Sequence, residues 1–108
     1  MTLDETRFAT LANEMLERIA DAVDEALGDE IDVELQGGIL TMSIDGGGQY
    51  VINRHAPNRQ IWMSSPASGA THFDYVDGAW VSTRAPGSRL DTMLAAELKA
   101  RFGTDVEI

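Results

Sequence analysis

The sequence predicts an α/β two-layer sandwich in which two helices cover one face of an antiparallel sheet of about six strands. Apolar residues recur with helical spacing over residues 3–27 and again after Ser88, whereas the segment between them alternates apolar and polar residues. Consecutive short strands joined by tight turns form an antiparallel sheet. Both helices must bury an apolar stripe, so the simplest arrangement packs them on the same sheet face.

The first element is a long helix over residues 3–27. Gly28 is a typical C-terminal stop, and Thr2 with Glu5 three residues later resembles a capping box. The stripe that this helix must bury consists of Phe8, Leu11, Ala12, Met15, Ile19, Ala22, Val23, Ala26 and Leu27.

A hairpin follows the helix. Residues 31–36 alternate apolar and polar side chains, as a half-buried strand does, and Gly37-Gly38 predicts a tight turn into a partner strand over residues 40–44. Four further strands are predicted over residues 49–54, 60–65, 72–75 and 79–83. Ser88 is predicted to open the last helix, with Asp91 at its third position, and Gly103 to end it.

The composition limits the functions that the chain can have. Its 108 residues suit one domain over residues 1–108, and it has no cysteine, which excludes disulfides, thiolate metal sites and cysteine nucleophiles. No apolar run approaches about 18 residues, so we expect no membrane span. Met1 leads directly into a polar helix start, so we expect no secretory signal or transit peptide and a bacterial cytoplasmic location, with the mature mitochondrial matrix as the alternative.

The negative charge is confined to the first half of the chain. Residues 1–45 carry twelve acidic and two basic residues, which accounts for the whole net charge of −10, because residues 46–108 carry six of each. A general nucleic-acid-binding surface is therefore disfavoured. Cations and basic protein surfaces are the natural partners of such a chain.

Most of these acidic residues form one run, which we call the acidic ridge. Its like charges stand three and four residues apart on the first helix, where each pair costs about 0.2–0.5 kcal/mol. A solvated helix face is the alternative interpretation, but a run that opposes local stability suggests a functional constraint. Carboxylates favour hard cations bound weakly through oxygen. The acidic ridge comprises Glu14, Glu17, Asp21, Asp24, Glu25, Asp29, Glu30, Asp32 and Glu34.

A second candidate surface lies on the strands. Alternation places Ile61 and Met63 in the core and Trp62 outward, where an exposed tryptophan is typical of a protein interface. A tryptophan partly covered by a neighbouring loop is the alternative. The residues expected to share this outer face, which we call the sheet-face patch, are Asn53, Gln60, Trp62 and His72.

The same segments resemble the central signature of the frataxin family. Residues 50–54 and 57–66, which read YVINR and PNRQIWMSSP, carry the specific part of the likeness. Residues 73–75, Trp80, the hairpin GGILT over residues 37–41 and LAAEL over residues 94–98 also match. The likeness covers nearly the whole chain and agrees with the predicted sandwich. Two positions depart from the family pattern, because His55 stands where many members have Gln and His72 where mitochondrial members often have Arg.

The resemblance implies weak binding of Fe²⁺ and Fe³⁺ by the acidic ridge, with no organic cofactor. It also implies that the partners are the cysteine desulfurase and the iron–sulfur scaffold protein, contacted through the sheet-face patch, with the chain acting as iron donor or regulator. We expect a monomer that can form an iron-dependent oligomer, with no nucleic-acid or membrane partner and no enzymatic activity of its own.

Two alternative functions stay open. A slow ferroxidase that stores iron in an oligomer is one, although the chain has no Glu-x-x-His motif of the kind that ferroxidase centres use. An acidic mimic of nucleic acid, or a charge-based inhibitor, is the other, and it would not require Trp62. His55 and His72 are interpreted as surface histidines, because no third nitrogen or sulfur ligand accompanies them.

Overall fold

The computed structural model describes residues 4–85 and 87–108 and confirms the predicted fold class. The elements in chain order are α1 (Glu5–Leu27), β1 (Ile31–Gln36), β2 (Ile39–Ile44), β3 (Gln49–His55), β4 (Gln60–Ser65), β5 (Gly69–Val76), β6 (Ala79–Ser82) and α2 (Leu90–Phe102). A 3₁₀ turn over Ala56–Asn58 joins β3 to β4. The strands form one sheet in sequential order, and every neighbouring pair is antiparallel. No helix in these described ranges is long and apolar enough to cross a membrane.

The core lies between the two helices and one face of the sheet. The inward residues of the central strands are at most 1% exposed, and they pack in one cluster with the buried stripes of α1 and α2. Burying one such side chain contributes roughly 1.5–3 kcal/mol. The inward strand residues are Leu40, Met42, Tyr50, Ile52, Ile61, Met63 and Phe73, and the fully buried helix residues include Phe8, Leu16, Ile19, Val23, Leu90, Leu94 and Leu98. The opposite sheet face is left uncovered by the helices.

The two helices begin differently from the sequence prediction. The Asp4 carboxylate caps α1 by accepting a hydrogen bond from the Arg7 amide at 2.8 Å, while the predicted cap at Thr2 lies outside the described residues. The prediction that Ser88 opens α2 is wrong. The Ser88 carbonyl instead accepts a hydrogen bond from the Ser82 amide at 2.8 Å, so the backbone stays extended and α2 begins at Leu90.

The β1–β2 hairpin depends on two glycines. Gly37 and Gly38 both have positive φ, +61° and +79°, as the tight turn requires. A Cβ at Gly38 would also lie 2.5 Å from Arg54 Nε. Arg54 occupies that space because its guanidinium donates a hydrogen bond to Asn13 Oδ1 at 2.9 Å, which ties β3 to α1.

A polar network fixes α2 to the end of the sheet. Glu97 accepts hydrogen bonds from the hydroxyls of Tyr50 at 2.9 Å, Ser68 at 2.7 Å and Ser65. The Ser65 hydroxyl in turn accepts from the Ala67 and Ser68 amides, which closes the β4–β5 turn. Burial, followed by the hydrogen bond to Glu97 and its negative charge, raises the pKa of Tyr50 to about 12.

The raised pKa of Tyr50 predicts a loss of stability at high pH. A tyrosine in the unfolded chain titrates near about 10, so the protonated hydroxyl stabilises the fold fully below that pH. Its contribution is lost as the pH rises towards about 12. Tyr50→Phe should cost about 1 kcal/mol at neutral pH, and the advantage of the parent chain should shrink above pH ~10. Urea unfolding of both chains at several pH values measures this difference.

Glu97→Gln is the matched control for the Tyr50 prediction. It keeps an acceptor oxygen beside Tyr50 and removes the negative charge that helps to raise the tyrosine pKa. The absorbance titration of Tyr50 should therefore move to lower pH in this variant. A stability difference between the parent and Tyr50→Phe that is constant through the alkaline range would contradict the prediction.

Candidate functional site

All nine residues of the acidic ridge are exposed, and three of them line one groove. Glu17, Asp21 and Asp24 of α1 form the rim of a groove of about 480 Å³ between α1 and the edge strand β1. Its floor is apolar and contains Val33 and Leu35 of β1, which face the helix layer. The helical spacing of the three acids predicted that they share a face, and the structure brings them together there.

A second group of acids surrounds the turn between α1 and β1. Asp29, Glu30 and Asp32 line a cavity of about 370 Å³ together with Asp45 from the end of β2. The Asp45 amide donates a hydrogen bond to the Glu30 carbonyl at 2.8 Å, which fixes this corner. Asp45 was not predicted as a site residue. The hairpin register, which pairs Ile31 with Ile44, is the signal that places it there.

The remaining ridge acids lie apart from these two groups. Glu14 lines a small cleft towards the β5–β6 turn and the start of α2, where Arg18 is a neighbour. Glu25 faces the C-terminal tail, near Asp105 and Glu107. Glu34 projects from β1 onto the uncovered sheet face, opposite Thr41. The acidic ridge is therefore a band that crosses α1 and wraps around the edge strand.

The acids of this band have no ionic partners among residues 4–85 and 87–108. The two salt bridges in these ranges are Arg89–Asp91 at 2.8 Å and Lys99–Asp105 at 3.2 Å, and neither includes a ridge residue. Within the same ranges, no three acidic or histidine side chains converge closely enough to hold a metal ion. The arrangement offers exposed carboxylates to cations or to a basic surface and forms no closed coordination cage.

The sheet-face patch is a row across three strands. Asn53 of β3 pairs with Trp62 of β4, and Trp62 pairs with His72 of β5. Gln60 orients the indole, because its Oε1 accepts a hydrogen bond from Trp62 Nε1 at 2.8 Å. The Gln60 amide group also donates to Asp74 Oδ1 at 2.9 Å. The structure therefore brings the four predicted residues together on the uncovered face.

Trp62 is covered by histidines and not by a loop. The imidazole of His55 stacks on the indole with ring centroids 3.6 Å apart, and the imidazole of His72 stacks with centroids 4.1 Å apart. Both pairs are inclined by only 8°. We call these three rings the imidazole–indole stack. The sequence alone predicts an ordinary surface histidine at position 55, and the place of His55 at the end of β3, paired with Gln60, is the signal that could have found the stack.

A shallow apolar depression adjoins the stack. It has a volume of about 140 Å³ and lies beside Trp62 and His72, between Val51 of β3 and Ala70 of β5. Small side chains at Ser64 and Ala70 leave this space next to the large indole. The depression therefore lies open beside the indole on the uncovered sheet face.

Comparisons with known proteins agree with these features. A family model described as a frataxin-like domain matches residues 1–104. The chain is 43% identical over 95 residues to the iron-sulfur cluster assembly protein CyaY of Vibrio cholerae, covering 88% of each chain. It is 42% identical over 92 residues to the mitochondrial frataxin homolog of Saccharomyces cerevisiae, covering 82% of this chain and 52% of the yeast protein.

Solved structures show the same architecture. Frataxin from Psychromonas ingrahamii superposes with a TM-score of 0.85 at 26% identity, covering 97% of both chains. A crystal structure of trimeric yeast frataxin complexed with ferrous iron superposes with a TM-score of 0.75 at 36% identity, covering 95% of this chain and 89% of that one.

The unpaired charges of the acidic ridge predict that their removal stabilises the fold. Asp21→Asn, Asp24→Asn and Glu25→Gln combined should raise the melting temperature at low salt. Each relieved like-charge pair stabilises the fold by about 0.2–0.5 kcal/mol. Glu25→Gln also removes the repulsion between Glu25 and the acidic residues of the C-terminal tail. Calorimetry at low and high ionic strength measures the effect, which salt should largely abolish. A variant that melts below the parent at low salt would show that these acids are structural.

Proposed function

The chain belongs to the frataxin family, and we propose from this premise that it is an iron-binding protein of iron–sulfur cluster assembly. In this proposal the acidic ridge binds Fe²⁺ or Fe³⁺ weakly as cargo. The sheet-face patch contacts the cysteine desulfurase–scaffold complex, to which the chain acts as iron donor or regulator. It acts as a binding protein, and not as an enzyme, in the bacterial cytoplasm.

One observation carries this proposal. All nine ridge acids are exposed, and none of them forms a salt bridge within the described residues. An evolved surface that served only solubility would gain stability from neighbouring lysines or arginines. Unpaired carboxylates keep their charge available for a cation, and oxygen ligands suit iron as a hard ion.

Two similar proteins support the pathway and the metal. The Vibrio cholerae relative is called an iron-sulfur cluster assembly protein, which supports the pathway. The trimeric yeast frataxin was crystallised as a complex with ferrous iron, which supports the metal. The acidic ridge of this chain has the charge and exposure that such a metal requires. The dispersed arrangement of the acids favours several weakly held ions over one tightly coordinated ion.

Iron should act on the first helix and first strand. On titration with Fe²⁺ under anaerobic conditions, the amide signals of residues 14–34 should broaden, and those of residues 90–102 should stay unchanged. Heteronuclear NMR measures both regions in one experiment. The triple variant at Asp21, Asp24 and Glu25 is the matched control and should need a higher iron concentration for the same broadening. Broadening centred on His55 or His72 would place the metal elsewhere.

The two surfaces should control different steps of partner binding. Exposed charges mainly set the association rate and its salt dependence, whereas a buried aromatic anchor mainly sets the dissociation rate. Trp62→Ala should therefore speed dissociation from the desulfurase–scaffold complex, weakening binding by ~2 kcal/mol or more. The triple variant of the acidic ridge should instead slow association and reduce its salt dependence.

Surface plasmon resonance at two salt concentrations distinguishes these effects. Val76→Ala is a matched control for Trp62→Ala, because Val76 is an exposed apolar residue (48% exposed) at the end of β5, away from the stack. It should leave both rates unchanged. If Trp62→Ala binds as tightly as the parent, the sheet-face patch is not the contact surface.

A further inference from the structure

The chain contains two histidines, and both stack on the same tryptophan. They come from different strands, β3 and β5, which flank the strand that carries Trp62. The two imidazoles cover both faces of the indole, so the ring presents its edge to solvent. The hydrogen bond from Trp62 Nε1 to Gln60 at 2.8 Å fixes the remaining rotation of the ring.

We propose that His55 and His72 are positioning residues that hold the indole of Trp62 on edge in the free protein, and that they thereby strengthen its contact with the partner. The partner contact rests on the proposed function above, whereas the imidazole–indole stack is a property of the free protein. An anchor that is held in its bound geometry before binding loses less conformational entropy in the complex.

The charged side chains around the stack are held by other partners and leave the imidazole rings on the indole. Asp74 follows His72 on the same strand face and is already held by the Gln60 amide group at 2.9 Å. Arg84 is engaged with the Ala70 carbonyl at 2.7 Å, and Arg59 with the carbonyl of Ala56. Arg54 points to the helix layer. The helices lie behind the sheet and contribute no charge to this face.

The enclosure of His55 indicates that it is part of a built arrangement. Its Nδ1 atom is buried and has no hydrogen-bond partner within residues 4–85 and 87–108. An imidazole that made no packing contact would turn this nitrogen to water. Stacking on the indole at 3.6 Å is the interaction that keeps the ring in place.

The positioning of Trp62 by the imidazole–indole stack is tested first in the free protein by NMR. The indole N–H signals of the two tryptophans are assigned with Trp62→Phe, and their ¹⁵N relaxation is compared between the parent and the double variant His55→Gln and His72→Gln. In the parent the Trp62 indole should be as rigid as that of Trp80, which is 5% exposed in the core, and in the double variant it should be more mobile. The double variant His55→Phe and His72→Phe, which keeps an aromatic ring on each indole face, should restore the rigidity. A Trp62 indole that is equally rigid in the parent and in the glutamine variant would overturn the proposal.

A second readout in the free protein does not depend on these variants. Stacking on an indole moves the imidazole ring protons upfield through the ring current. The ring protons of both histidines should therefore lie upfield in the parent and return to ordinary positions in Trp62→Ala. Ordinary positions in the parent would overturn the stack itself.

The partner contact is tested by the dissociation constant for the desulfurase–scaffold complex. The glutamine double variant should bind about 2- to 10-fold more weakly than the parent, because the freed indole must be ordered on binding. The phenylalanine double variant should bind as the parent does. Unchanged affinity of the glutamine variant would overturn the proposal. If the histidines rigidify the indole but neither chain binds the complex, the proposed function has failed, and the partner contact falls with it.

Discussion

The antiparallel sheet is buried on one face only, and this constraint determines where every other feature of the molecule lies. Side chains alternate between the two faces of a strand, so Ile61 and Met63 enter the core while Trp62 between them must face out. A shift of one residue in the register would exchange the two sets. The packing that stabilises the fold therefore also fixes the outer row that contains Asn53, Trp62 and His72.

The acidic ridge is placed by the same constraint. The stripe of α1 that packs on the sheet leaves the opposite side of the helix to solvent, and like charges accumulate there without partners in the described residues. The fold tolerates their repulsion because the core packing does not involve these acids. Leu16, Ile19 and Val23 on the inner side of α1 are fully buried. Removing charge at Asp21 or Asp24 would leave these contacts untouched. The buried contacts and the unpaired charge are thus on different sides of one helix.

Periodicity predicted those parts of the structure that depend on local pattern. It predicted the strands of the sheet, the outward position of Trp62 and the groove acids Glu17, Asp21 and Asp24. It failed where a hydrogen bond or stacking contact outside the local pattern determines the structure. Ser88 has the side chain of a helix cap, but its carbonyl pairs with the Ser82 amide, a contact that no local pattern contains. The stacking of His55 on Trp62 likewise depends on the register across the 3₁₀ turn between β3 and β4.

The acidic ridge and the sheet-face patch are two ends of one continuous surface. Residues Gln36, Ile39, Asn53, Trp62 and His72 form one register row from the edge strand β1 to β5. Neighbouring strands lie about 4.8 Å apart, so β1 and β4 are separated by about 14 Å. Glu34, two residues along β1 from Gln36, brings the charge of the ridge onto the face that carries Trp62. In the proposed function, a single partner that seats the indole edge therefore also lies within reach of the ridge. Charge can then guide its approach while the stack retains it.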